Sequence, residues 1–319
     1  MSTIGPLMVD IGGTSLDAED REILMHPQVG GVILFARNYA DSDQLRALCA
    51  GLAALKSPRL LIAVDHEGGR VQRFRVGFTR VPAMRTLGCL YEESPERALT
   101  QAQEYGATIG TELAATGIDL CFAPVLDRDG GVSKVIGDRA FAETPELIVP
   151  LARAFRAGLN RAGLAATGKH FPGHGTVAVD SHEDLPVDRR SWTEIESRDL
   201  VPFKTLIEDG IESLMTAHVR YAAVDEKPAS FSRHWLRGVL RNQLHYNGAL
   251  FCDDLSMGAA KTVGNLLERA RMALDAGCDM LPVCNDRAGV VALLDELSVK
   301  PCRLASARLW CLYRTEGPR

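Results

Sequence analysis

No apolar run in this sequence reaches the length needed to cross a membrane, and Met1 to Asp10 lacks the basic, apolar and small-residue pattern of an export leader. Positive charge is not in surplus either. Against 36 Lys and Arg stand 41 Asp and Glu, a net −5, which leaves no electrostatic footprint for nucleic acid or an anionic membrane. No C-x-x-C pair occurs, and the eight cysteines, Cys49, Cys89, Cys121, Cys252, Cys278, Cys284, Cys302 and Cys311, are scattered mostly through apolar segments. Neither a structural zinc site nor a disulfide framework is expected from that spacing. With no Gly/Ser-rich linker or low-complexity tract, residues 1–319 read as a single domain. A reduced, cytoplasmic, monomeric enzyme without a cofactor is the expectation.

What the chain does have is a repeating rhythm. Eight short apolar runs look like fully buried strands: Pro6 to Ile11, Gly31 to Phe35, Leu60 to Val64, Leu120 to Val125, Ala165 to Lys169, Ser213 to Ala217, Ala249 to Cys252 and Asp279 to Val283. Amphipathic segments such as Arg97 to Ala115, Leu147 to Arg161 and Asn265 to Ala276 separate them, with Ser42-Asp43-Gln44 and Thr144-Pro145-Glu146 as helix starts. Strand and helix alternating eight times predict an α/β fold, either a closed (β/α)8 TIM barrel or an open doubly wound sheet. Charged or polar residues follow nearly every run: Asp65, Asp127, Arg139, His218, Asp253, Asp254, Asn285 and Asp286. Only a barrel gathers so many strand ends at one mouth, and the barrel is therefore the expected fold.

The segment from Lys169 through His170, Pro172, Gly173, His174 and Asp180 to His182 holds three imidazoles, a lysine and a carboxylate in fourteen residues. Its proline and glycines make it a loop, and such a loop has little to offer an apolar core. Asp180 and His182, two apart, share a face in an extended segment, so the carboxylate can hold one ring nitrogen and leave the other free to carry a proton. A loop-stabilising hydrogen bond is the bland alternative. Asp253 and Asp254 end the seventh run, where a pleated strand would turn only one of them to the reacting centre, leaving Asp254 to cap the next helix. The string Asp65-His66-Glu67-Gly68-Gly69-Arg70-Val71-Gln72-Arg73 can bind sugar hydroxyls or, at Glu67 and Arg70, form a structural ion-pair network.

Taken in order, these strings, with Gly5 to Asp10, Gly30 to Phe35, Ile136 to Phe141, Asp253 to Met257 and Ala276 to Met280, resemble glycoside hydrolase family 3. The resemblance is to its bacterial cytoplasmic β-N-acetylglucosaminidases of cell-wall recycling. It implies a retaining hydrolase in which Asp253 attacks the anomeric carbon, while His182 acts as acid and then base, oriented by Asp180. Asp65, Arg73, Arg139, Lys169 and His170 are implied to hold the N-acetylglucosamine ring, and His174 to brace the loop. The implied substrate is N-acetylglucosamine linked β-1,4 to 1,6-anhydro-N-acetylmuramic acid, with or without its peptide.

The chain departs from the family pattern in four places. His66 stands where glutamine is expected, Cys252 where serine or threonine is more usual, and the segment after Met257 is shorter than in relatives. Pro282 lies inside the eighth run, where a missing amide donor favours a bulge or strand end. A metal-dependent amidohydrolase, a sugar-binding barrel without catalysis, and phosphate instead of water as the acceptor remain alternative readings of the same residues. No metal is implied, because His170 and His174 lie across Pro172-Gly173, not on one helical face.

Overall fold

The computed structural model describes residues 3–300 and 302–319. All eight apolar runs form strands: β1 (Leu7–Val9), β2 (Val29–Leu34), β3 (Leu61–Val64), β4 (Leu120–Cys121), β5 (Ala165–Phe171), β6 (Ser213–Thr216), β7 (Ala249–Phe251) and β8 (Leu281–Val283). Each pairs in parallel with its neighbour in sequence, and β8 returns to β1. A parallel bridge between Phe251 and Met280 closes the ring, which makes the sheet a barrel and not an open one.

Strands buried on both faces need apolar residues at consecutive positions, which is why the runs do not alternate. Met8, Ile33, Leu61, Ala63, Phe122, Met215, Phe251 and Met280 fill the interior, where Phe122 meets Phe251 edge to face at 5.1 Å. The opposite strand faces pack against the surrounding helices. Those helices begin at local signals. Thr144 precedes Pro145 at the start of Pro145–Arg161, and Asn265 forms a capping box with Glu268 at the start of Leu266–Ala276. The helix Ser42–Ala54 is capped one residue earlier than its sequence suggests, by Asp41, which accepts the N–H groups of Asp43 and Gln44. Gly117, at φ 95°, ends Pro95–Thr116 in the left-handed region that glycine tolerates.

Pro282 neither bulges nor breaks β8: it pairs in register with Met8, and the strand continues to Val283. The neighbouring amides explain why. Leu281 donates to Pro6 on the β1 side, whereas the Pro282 carbonyl accepts from Leu255 on the β7 side. The missing donor therefore faces the seam with β7, where ladder pairing is already a single bridge. Among the described residues, no helix is long and apolar enough to cross a membrane.

Candidate active site

The carboxyl ends of the strands carry the chemistry, and the barrel brings together residues far apart in sequence. Asp65, just past β3, accepts from the Lys169 amine of β5 at 2.7 Å and from Arg73 at 3.3 Å. Glu67 accepts from the same amine at 2.6 Å and takes both arms of Arg139 at 2.8 Å. Lys169 is 2% exposed, so its charge is tolerated only because two carboxylates face it. Burial works to raise the carboxyl pKa values, but Lys169 with Arg73 at Asp65, and Arg139 with Lys169 at Glu67, outweigh it. Asp65 is held below the usual carboxylate range and Glu67 at about 2. Burial and these carboxylates act oppositely on Lys169, and the net effect is to hold its proton more firmly.

His170 and His174 hang on one buried aspartate. Asp127 accepts from the His170 ring at 2.6 Å, from the His170 amide at 3.2 Å and from the His174 amide at 2.7 Å. The His174 ring bonds the Ser181 hydroxyl at 2.8 Å, and burial pushes its pKa down to about 4, so it braces the loop as a neutral group. Gly175 lies so close to the loop after β4 that an added Cβ would meet the Arg128 carbonyl at 1.5 Å. The rings of His170 and His174 are thus committed to different partners. Among the described residues no three His, Cys, Asp or Glu side chains are grouped as a metal site.

Asp180 and His182 do meet, through a turn and not an extended face. The Asp180 carboxylate accepts from the His182 amide and from its ring Nδ1, both at 2.8 Å. This pair is exposed, with the imidazole 64% accessible. The same loop leans on the segment after β7: Gly258 and Ala259 donate to the carbonyls of His182 and Ser181. The short stretch after Met257 is therefore the wall beside His182.

Asp253, half-buried beyond β7, makes no hydrogen bond to His182 among the described residues; its carboxylate accepts from the Asp254 amide at 2.9 Å. Burial is outweighed there by His170, His218, that amide and His182, and the carboxyl lies below its ordinary range. The expectation that Asp254 caps the next helix is not met. Its carboxylate takes the Ser256 amide and hydroxyl and the Cys284 amide, tying the ends of β7 and β8, while Gly258–Lys261 starts after Met257.

Two contributors went unassigned in the sequence. Asp127 bears the same mark as Asp65, an acid directly after a buried run, yet its hold on two loop histidines has no local signature. His218 stacks on Phe231 at 5.3 Å and bonds the Asp254 carbonyl at 3.0 Å, beneath Asp253. Glu67 belongs to an ion-pair network as the alternative reading had it, but with Arg139 and Lys169. Arg70 pairs separately with Asp138. His66 is fully buried against Phe74 and Phe78, and Cys252 is buried behind Asp253.

Residues 5–309 match the model of the glycosyl hydrolase family 3 N-terminal domain. The chain is 54% identical over 307 residues to a β-hexosaminidase of Thiobacillus denitrificans, covering 96% of this chain and 86% of the relative. It is 50% identical to one of Nitrosomonas eutropha, over 96% and 88%. Its fold matches Neisseria gonorrhoeae NagZ in complex with N-trifluoroacetyl-D-glucosamine at a TM-score of 0.94 and 45% identity, covering 99% of this chain and 91% of that one.

Proposed function

The chain belongs to glycosyl hydrolase family 3 and is a glycoside hydrolase of β-hexosaminidase type; from that premise we propose a retaining exo-β-N-acetylglucosaminidase contained in one barrel domain. Asp253 attacks the anomeric carbon as the glycosidic bond breaks. The His182 imidazolium gives its Nε2 proton to the leaving oxygen, with Nδ1 fixed by Asp180. The neutral imidazole then takes a proton from water, which releases the sugar from Asp253 and restores the acid. Asp65, Arg73, Arg139, Lys169 and His170 orient the N-acetylglucosamine ring, because charged hydrogen bonds to hydroxyls are directional.

The observation that carries this reading is an ionised Asp253 and an exposed, carboxylate-oriented His182 at one barrel mouth, beside a buried charged cluster suited to hydroxyl recognition. The substrate we assign is N-acetylglucosamine joined β-1,4 to 1,6-anhydro-N-acetylmuramic acid or its peptides. Cleavage would then take place on peptidoglycan fragments in the cytoplasm, by a monomer, with water as acceptor. The test is Asp253→Ala on 4-nitrophenyl N-acetylglucosaminide. Turnover should fall by at least about a thousandfold with folding intact, whereas near-native turnover would sink the mechanism. Product analysis in phosphate buffer separates free sugar, the expected product, from sugar 1-phosphate.

A further inference from the structure

At the end of the barrel opposite the catalytic mouth, a cavity of about 900 Å³ opens among the segments that lead into β1, β2, β3 and β8. That volume is ordinary for a small-molecule site. None of the residues assigned above to catalysis or sugar binding lines it.

Its lining is cationic: Lys56, Arg59, Arg237, Arg241, Lys300 and Arg308 face a single carboxylate, Asp279. The fold accounts for three of these. Arg59 is held in both arms by Asp119 at 2.7 Å. Arg241 and Arg308 clamp Asp279 at 3.0 and 3.1 Å, and Asp279 in turn takes the Leu250 amide, binding the approach of β8 to β7. Even so, Arg308 Nε is buried without a hydrogen-bond partner among the described residues.

No such account covers Lys56 and Arg237. The Lys56 amine donates to the carbonyls of His26 and Val29, both at 2.8 Å, and Arg237 donates to the carbonyl of Asp275. Neither forms an ion pair among the described residues. Burial accordingly pulls the Lys56 amine down to about 8. Beside these cations the cavity rim exposes two large apolar side chains, Met25 at 58% and Leu304 at 61%.

We propose that this cavity is a second ligand site, remote from the glycosidase centre, for a small organic anion. Its phosphate or carboxylate groups would lie against Lys56 and Arg237, and its apolar body against Met25 and Leu304. Carbonyls already accept from both cations, and an anion there supplies the counter-charge that no ion pair among the described residues gives them; the apolar rim favours a ligand that is more than a bare ion.

The probe is 8-anilinonaphthalene-1-sulfonate, an anion on an aromatic body, titrated by fluorescence into the full chain. Saturable binding to one site is expected, weakened about tenfold or more by Lys56→Met with Arg237→Gln, and unaltered by Asp253→Asn. Lys56→Met keeps the aliphatic stem but gives up the amine's hydrogen bonds to the His26 and Val29 carbonyls, whereas Arg237 is exposed. If the pair lowers Tm, Arg237→Gln alone reads the effect. Displacement by tripolyphosphate or by citrate identifies a phosphate or a carboxylate ligand. Unsaturable dye, unchanged affinity in the variants, displacement by N-acetylglucosamine, or failure of both anions to displace would overturn the proposal.

Discussion

Changing Glu67 to glutamine removes one negative charge from a buried cluster while keeping the shape of the side chain. In the native protein this carboxylate faces Lys169 at 2.6 Å and both arms of Arg139 at 2.8 Å. A carboxyl held at about 2, against an ordinary 4.5, contributes about 3 kcal/mol to the folded state. One-sided removal of a buried ion pair costs about 3–5 kcal/mol, and glutamine still accepts one hydrogen bond, so a loss of about 2–3 kcal/mol is expected at pH 7. In thermal unfolding this is a drop of about 3–5 °C for a chain of 319 residues. The sign with pH follows from the depressed pKa: the contribution is complete above pH 4.5 and is lost as pH falls towards 2, so the variant should lack that part of the acid slope. In a Lys169→Met background the same change should cost less, because one of the two cations that need the carboxylate is gone while Arg139 remains. Equal losses in both backgrounds, or a Tm within 1 °C of native, would refute the account of a mutually dependent cluster.

Replacing His66 with leucine should stabilise the protein. Both ring nitrogens are buried without partners among the described residues, and burial holds the ring neutral down to about 3. The unfolded chain takes up a proton there below about 6.5, so the native protein loses about 2 kcal/mol through this residue by pH 5. The leucine variant should lose less on going from pH 8 to 5, and parallel urea titrations at the two pH values would contradict this. Gly175→Ala should lower turnover with little change in secondary structure, since its methyl group would force apart the loops after β4 and β5. Native kinetics would show that their contact is dispensable. His182→Ala should cleave substrates with acidic leaving groups far better than those with basic ones, and a flat dependence on leaving-group acidity would argue against the acid role.

Strand positions were legible in the sequence because a fully buried parallel strand has only one composition, and charged residues just beyond each run marked the working end of the barrel. The partners of those charges were not legible. Lys169 meets Asp65 across 104 residues, and nothing local in either string records the pairing. Asp254 illustrates a different limit. A carboxylate at a strand end can cap forward or close a turn, and the choice depends on the Cys284 amide arriving from β8. Pro282 was misread for a related reason, since its cost depends on which neighbour its missing amide faces, and only the closed ring determines that.

The loop from Lys169 to His182 is held by two different walls. Its first half is fixed by Asp127, from the segment after β4, and is buried. Its second half is exposed and takes the amides of Gly258 and Ala259 on the carbonyls of Ser181 and His182. Those two amides follow Asp253 by only a few residues of chain. The separation of His182 from Asp253 is therefore governed by the short segment from Asp253 to Ala259 more than by the barrel as a whole. Under the proposed mechanism, a sugar bound against the first half would settle without carrying His182 away from Asp253, because both are tethered to the same piece of backbone.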